Sequence, residues 1–203
     1  MLDSEFWSAI ATGAFSVLVT LITVWSKHYL DTRKNEKKRK EDEQISSNDV
    51  DSMCEIQQFL DTIRDKWDFD RVAIYQFHNG GKFFNGIAMK KFSLTYESIS
   101  PGIARIKEQT QNVFVTEHPS LMRHMSAKDF FFVEADDPAL DYQRDKIEEL
   151  GILQLITIPM RSLRGSLLGF IQCSTIKQEI EITHMMENDL IDSGQRISGY
   201  LHD

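Results

Sequence analysis

The stretch "HNGGKFFNG" (78–86) sets His78, Asn79 and Asn85, all able to hydrogen-bond, beside Phe83 and Phe84 in a glycine-rich loop. Such a set suits a ligand clamp, in which the polar groups fix orientation and the rings cover the ligand. It also suits a plain connection, with Asn79-Gly80-Gly81 turning the chain and the phenylalanines filling core. The loop is not a P-loop, because no lysine-Ser/Thr pair closes its glycines. "DFFFVEADD" (129–137) adds three more rings, which could be core, cavity lining or subunit contact. Phe77, His78, Asn79, Phe83, Phe84, Asn85, Phe131 and Tyr142 are the ligand-binding candidates.

Catalytic chemistry finds little to work with. His118, His124 and His184 lack metal-ligand spacing, and neither HExxH nor CxxC is present. No GxSxG elbow occurs. Asp136 and Asp137 are adjacent carboxylates, but beside a helix start they read as caps. The expectation is a non-enzyme with no metal and no cofactor. Cys54 and Cys173 show no motif spacing, and two free thiols in a reducing compartment are the simplest reading.

The elements that position these residues follow from periodicity. Met53, Ile56, Leu60, Ile63 and Trp67 step by three and four, which predicts a helix over 50–67. "RVAIYQF" (71–77) is β-branched and aromatic and reads as a strand. In 88–98, Phe92, Leu94 and Tyr96 alternate with Ser93, Thr95 and Glu97, the period of a half-buried strand. The two strands should pair antiparallel. "GIARIKEQTQNVF" (102–114) reads as a short helix, and another starts near Pro119. For 137–151, Asp137 is the cap, Pro138 the first helical residue and Gly151 the stop. "ILQLITIPM" (152–160) and "SLLGFIQCST" (166–175) are strands around a tight turn containing Gly165. A helix over 181–201 closes the chain.

Charge is uneven. Residues 1–41 hold seven Lys/Arg against five acids, leaving sixteen basic and 26 acidic side chains for the remainder. An acidic domain gains little from counterion release, so nucleic acid is not an expected partner. Residues 6–25 contain no charge, and twenty helical residues cover about 30 Å, the thickness of a bilayer core. Trp7 and Trp25 stand at its two ends. No Lys or Arg precedes the span, and seven follow closely. The expectation is therefore a single-pass inner-membrane anchor (1–26), N-terminus outside, then a charged connector (27–49) and a cytoplasmic domain (50–203). Within the span Ser8, Thr12, Ser16 and Thr20 form a polar stripe beside Ala9 and Gly13, which suits helix-to-helix contact and homo-oligomers in the lipid bilayer.

The order helix, strand, strand, helical insert, strand, strand, helix is an α+β arrangement with an antiparallel sheet. Residues 50–202 resemble a GAF domain, a relative of PAS folds. The resemblance is carried by the first helix, "RVAIYQF", the "ITIPM…LLGFIQC" hairpin and the closing helix. It implies a GAF-like antiparallel sheet flanked by helices, which the charge-free run 6–25 would precede with one transmembrane helix. It also implies a pocket between the sheet and the 102–150 insert. The family's cyclic-nucleotide signature and bilin-attaching cysteine have no counterpart here. The function implied is a sensory or interaction module that binds a small molecule or a regulatory protein and acts through oligomerisation. The layout of short N-terminus, one span and compact domain is also similar to the T-type holins of tailed phages, which form membrane holes. That family places its soluble domain outside the cytoplasm, whereas the basic cluster here argues for the inside.

Overall fold

The computed structural model describes residues 22–34, 47–82, 88–135 and 144–201. The chain divides into two compact units, Met1–Val50 and Asp51–Asp203. In the first, helix α1 (22–34) is exposed along its length. Trp25 stacks on Tyr29 at 5.9 Å, and the Arg33 guanidinium lies 5.1 Å from the Tyr29 ring.

The expected localisation, single-pass in the inner membrane with the C-terminal domain cytoplasmic, is corrected here. Among the described residues no helix is long and apolar enough to cross a membrane. The described part of α1, residues 22–34, covers about 20 Å at 1.5 Å per residue, against a bilayer core of about 30 Å. It also carries Lys27, Asp31, Arg33 and Lys34. Most of the charge-free run lies outside the described residues. So do its stripe residues Ser8, Ala9, Thr12, Gly13, Ser16 and Thr20. The bilayer partner and the hole-forming layout rest on that span and have no support among the described residues.

The second unit takes α2 (Ser47–Trp67) from Asp51 onward, and α2 leads into β1 (Arg71–Lys82) and β2 (Ala88–Ile99). Then come β3 (Val113–Phe114), a 3-10 turn (Val115–Glu117), α3 (Pro119–Ala127) and β4 (Phe131–Glu134). The chain ends with α4 (Arg144–Leu150), β5 (Gln154–Arg161), β6 (Leu167–Thr175) and α5 (His184–Tyr200). The six strands form one sheet in the order β3-β2-β1-β6-β5-β4, every pairing antiparallel.

Alternation along β1 and β6 builds two cores. Val72, Ile74, Ile171 and Cys173 face one side, where Ile56, Leu60 and Ile63 of α2 and Leu190 and Ile197 of α5 cover them. Ala73, Tyr75 and Phe170 face the other, packed with Phe92, Leu94, Ile106, Leu121 and Met125. Helices α2 and α5 are tied by the Asp189 carboxylate, which accepts from Lys66 Nζ (2.8 Å) and Trp67 Nε1 (2.7 Å). Thr183 caps α5, its Oγ1 accepting from Met186 N at 3.2 Å. At Gly169 the strands approach so closely that a Cβ would lie 2.0 Å from the Tyr75 carbonyl oxygen.

The structure differs from the periodicity reading in three places. The strand starting at Arg71 does not stop at Phe77. His78 and Asn79 remain in β1 opposite Lys91 and Lys90, and Gly81 (φ 106°) absorbs the irregularity beyond them. Residues 102–112 form turns rather than a helix, because β2 takes their hydrogen bonds. Leu94 N donates to the Thr110 carbonyl (2.9 Å), Gln111 Nε2 donates to the Leu94 carbonyl (2.8 Å), and Asn112 adopts φ 58°. The phenylalanine-rich 131–134 becomes edge strand β4, paired with β5. Of helix 137–151, Asp137 and Pro138 lie outside the described residues, and Gly151 follows α4 with φ 62°.

Candidate functional site

A cavity of about 290 Å³ lies between the β1–β2–β6 face and residues from the stretches 106–118 and 146–155. Its floor is aromatic. Tyr75 and Phe170 stack at 4.6 Å with their planes 9° apart, and Phe92 meets both edge-on, at 5.9 and 5.3 Å. These are the offset and edge-to-face arrangements that ring quadrupoles favour. Ile106, Val113, Ile147 and Ile152 supply apolar walls, and Thr110, Gln172 and Ser174 supply polar points.

One end of the cavity is charged. Arg71 is 4% exposed at its side chain and Glu97 is fully buried. Arg71 Nε donates to Glu97 Oε1 at 3.1 Å, and Nη2 donates to the Ala104 carbonyl at 2.7 Å. Glu97 Oε1 also accepts the Ile106 amide at 3.1 Å. Arg71 Nη1, Glu97 Oε2 and His118 Nδ1 are buried with no hydrogen-bond partner among the described residues. Unmet buried donors are rare in folded proteins, and they mark a place where a ligand or water completes the site. Arg71 and His118 line the cavity, and Glu97 does not.

His118 sits at the start of α3 with its ring 5.4 Å from Phe92. Burial pushes its imidazole pKa down, and the Lys146 charge pushes it further, against a smaller opposing pull from Glu117. It is neutral at pH 7, so Nδ1 donates or accepts according to tautomer. Burial raises the Tyr75 phenol, which keeps its proton. Burial likewise raises the Cys173 thiol, which lies across the sheet with the α2/α5 core.

The residues singled out from the sequence fall elsewhere. Phe77 joins the aromatic cluster beyond the cavity, 6.3 Å from Phe92 and 5.8 Å from Phe170. His78 Nε2 pairs with Ser93 Oγ at 2.9 Å, and Asn79 Oδ1 accepts from Lys90 Nζ at 2.8 Å. Phe131 stacks on His124 at 4.0 Å. None of these four lines the cavity. Phe83, Phe84, Asn85 and Tyr142 lie outside the described residues.

Sequence reasoning missed Arg71, Tyr75, Phe92, Glu97, His118 and Phe170. An arginine opening an apolar strand was the available signal, since Arg is almost never fully buried unless paired. Glu97 was hidden by a register shift. Ile74 faces Tyr96, but Tyr75 faces Leu94, so β2 carries an extra residue there. That shift puts Tyr96 with the helix-side core while Phe92 and Leu94 stay on the cavity side, and Glu97 turns inward.

No family model matches this chain, and neither does any curated protein sequence. Solved structures do. The GAF3 domain of a Synechocystis protein in its photoproduct state superposes with TM-score 0.57 at 15% identity, covering 74% of this chain and 93% of that one. The phycocyanobilin-bound GAF domain of a cyanobacterial phytochrome gives 0.55 at 15% identity, covering 84% and 90%. The blue-light absorbing form of the Thermosynechococcus elongatus PixJ GAF domain gives 0.53 at 14%, covering 74% and 86%. At these identities the likeness establishes the fold: an antiparallel sheet flanked by helices, of the GAF type.

Proposed function

We propose that this chain is a non-catalytic sensory module of the GAF fold that binds a small molecule in the cavity over Tyr75, Phe92 and Phe170. The observation that carries this reading is the pairing of an aromatic floor with two buried polar atoms, Arg71 Nη1 and His118 Nδ1, that lack a partner among the described residues. An apolar pocket with a few convergent polar groups is the usual form of a ligand site. One structural neighbour is itself a phycocyanobilin-bound GAF domain. Here the ligand is held without a covalent bond. Cys173 lies on the far side of the sheet and Cys54 is exposed on α2.

Binding alters output by favouring one of two states, which requires unequal affinity for them. Those states differ in self-association or in recruitment of a regulatory protein. Met53 on α2 and Met185 and Tyr200 on α5 are exposed apolar side chains that such a contact would cover.

The test is thermal melting of the full chain against a metabolite panel, with recovery of any ligand that raises Tm. A Val113→Trp variant, whose ring fills the cavity, should still melt cooperatively but lose the shift. A panel that leaves Tm unmoved refutes the binding function. A ligand recovered chemically altered refutes its non-catalytic character.

A further inference from the structure

We infer that the cavity takes a planar aromatic monocarboxylate, its ring over the Tyr75–Phe170 floor and its carboxylate toward the Arg71 guanidinium. This rests on the cavity being the ligand site. Three observations define the class. First, the guanidinium is committed on one side only. Nε is held by Glu97 and one N–H of Nη2 by the Ala104 carbonyl, whereas both N–H groups of Nη1 lack an acceptor among the described residues. A carboxylate is the acceptor that best matches a guanidinium edge, because charge-assisted bonds are about twice as strong as neutral ones.

Second, the charges around the cavity balance. Arg71 is offset by Glu97, and the wall carries Lys146 and Glu149. One added negative charge on Nη1 is tolerable there. A phosphate dianion would bring a second charge into a largely apolar space with no further buried cation to meet it. Third, the size is limited. A cavity of about 150 Å³ accepts benzene, and this one is about 290 Å³. That room suits two fused rings, or one ring with a short chain. The lining rings Tyr75, Phe92 and Phe170 offer a flat aromatic ligand further ring contacts.

The test uses 2-naphthoate, 2-naphthamide and 2-naphthyl phosphate with the full-length chain at pH 7.5. Calorimetry gives affinity, and amide shifts of Ile106, Thr110 and Ile147 report the site. Naphthoate should bind at least about tenfold tighter than either analogue, about 1.4 kcal/mol. The paired variant Arg71→Gln/Glu97→Gln removes both charges together. It should bring naphthoate within about twofold of naphthamide while naphthamide still binds, which also shows that the variant is folded. If that variant does not fold, the wild-type ratios decide.

Equal binding of naphthoate and naphthamide overturns the carboxylate assignment and leaves the pocket function standing. So does tighter binding of the phosphate, or an advantage that persists in the paired variant. If no naphthyl compound shifts the cavity amides, this assignment fails, and the pocket function is decided separately by the metabolite panel.

Discussion

Removing one partner of the Arg71–Glu97 pair should be among the most damaging single changes in the domain. In Glu97→Leu, Arg71 Nε and the Ile106 amide both lose their acceptor, and a guanidinium that is 4% exposed keeps its charge. At 3.1 Å and an effective dielectric of about 20, the direct attraction is about 5 kcal/mol. Desolvation of the pair offsets much of that, but the surviving charge keeps its own desolvation cost. The expected loss is about 3–5 kcal/mol. Replacing both partners, Arg71→Met with Glu97→Leu, leaves no orphaned charge, so the double variant should lie within about 2 kcal/mol of wild type. The two single losses should therefore exceed the double loss by at least about 2 kcal/mol. Urea unfolding of the four proteins, followed by circular dichroism, closes this cycle. Single losses that add to the double loss within about 0.5 kcal/mol would refute the coupling.

Gly169→Ala forces a methyl group to 2.0 Å from the Tyr75 carbonyl, so β1 and β6 must part. A loss of about 3 kcal/mol is expected, and a Tm within about two degrees of wild type contradicts it. His118 has a lowered folded pKa, so the unfolded chain binds a proton that the folded chain refuses. Its contribution is complete above the unfolded value near 6.5 and is lost as pH falls from there toward the folded value. The slope is at most about 1.4 kcal/mol per pH unit. Melting at pH 7.5 and 5.5 should show this loss reduced in His118→Phe. Thr183→Ala removes the oxygen that accepts Met186 N and should cost about 1 kcal/mol by urea melt. No measurable change there would mean solvent caps α5 equally well.

Helices and hairpins were legible because their signals are local. The apolar spacing of Ile56, Leu60 and Ile63 places α2 on the sheet, and the "ITIPM…LLGFIQC" pair forms β5 and β6. The cavity was less legible because its residues meet only through long-range pairing. Arg71 and Glu97 are 26 positions apart and join across β1 and β2. The extra residue near Tyr75 inverts the in/out pattern of β2, so strict alternation assigned Glu97 to the solvent side. Residues 102–112 carry helix-compatible side chains, but an unpaired strand edge claims their backbone, and tertiary pairing overrides propensity. His78 and Asn79 drew notice as polar residues beside glycines. Their side chains are instead spent on cross-strand bonds to Ser93 and Lys90.

Strand β1 is a party wall. Arg71, Ala73 and Tyr75 border the cavity, while Val72 and Ile74 bear on the α2/α5 layer. Neighbouring residues are about 3.4 Å apart along a strand, so a guest that nudges Tyr75 also disturbs Ile74. On the proposed function, the message crosses the sheet through its thickness, from Tyr75 on the cavity side to Ile74 on the helix side. Slower amide exchange in α5 on filling the cavity would register that passage. Unchanged exchange there would show that the wall is deaf.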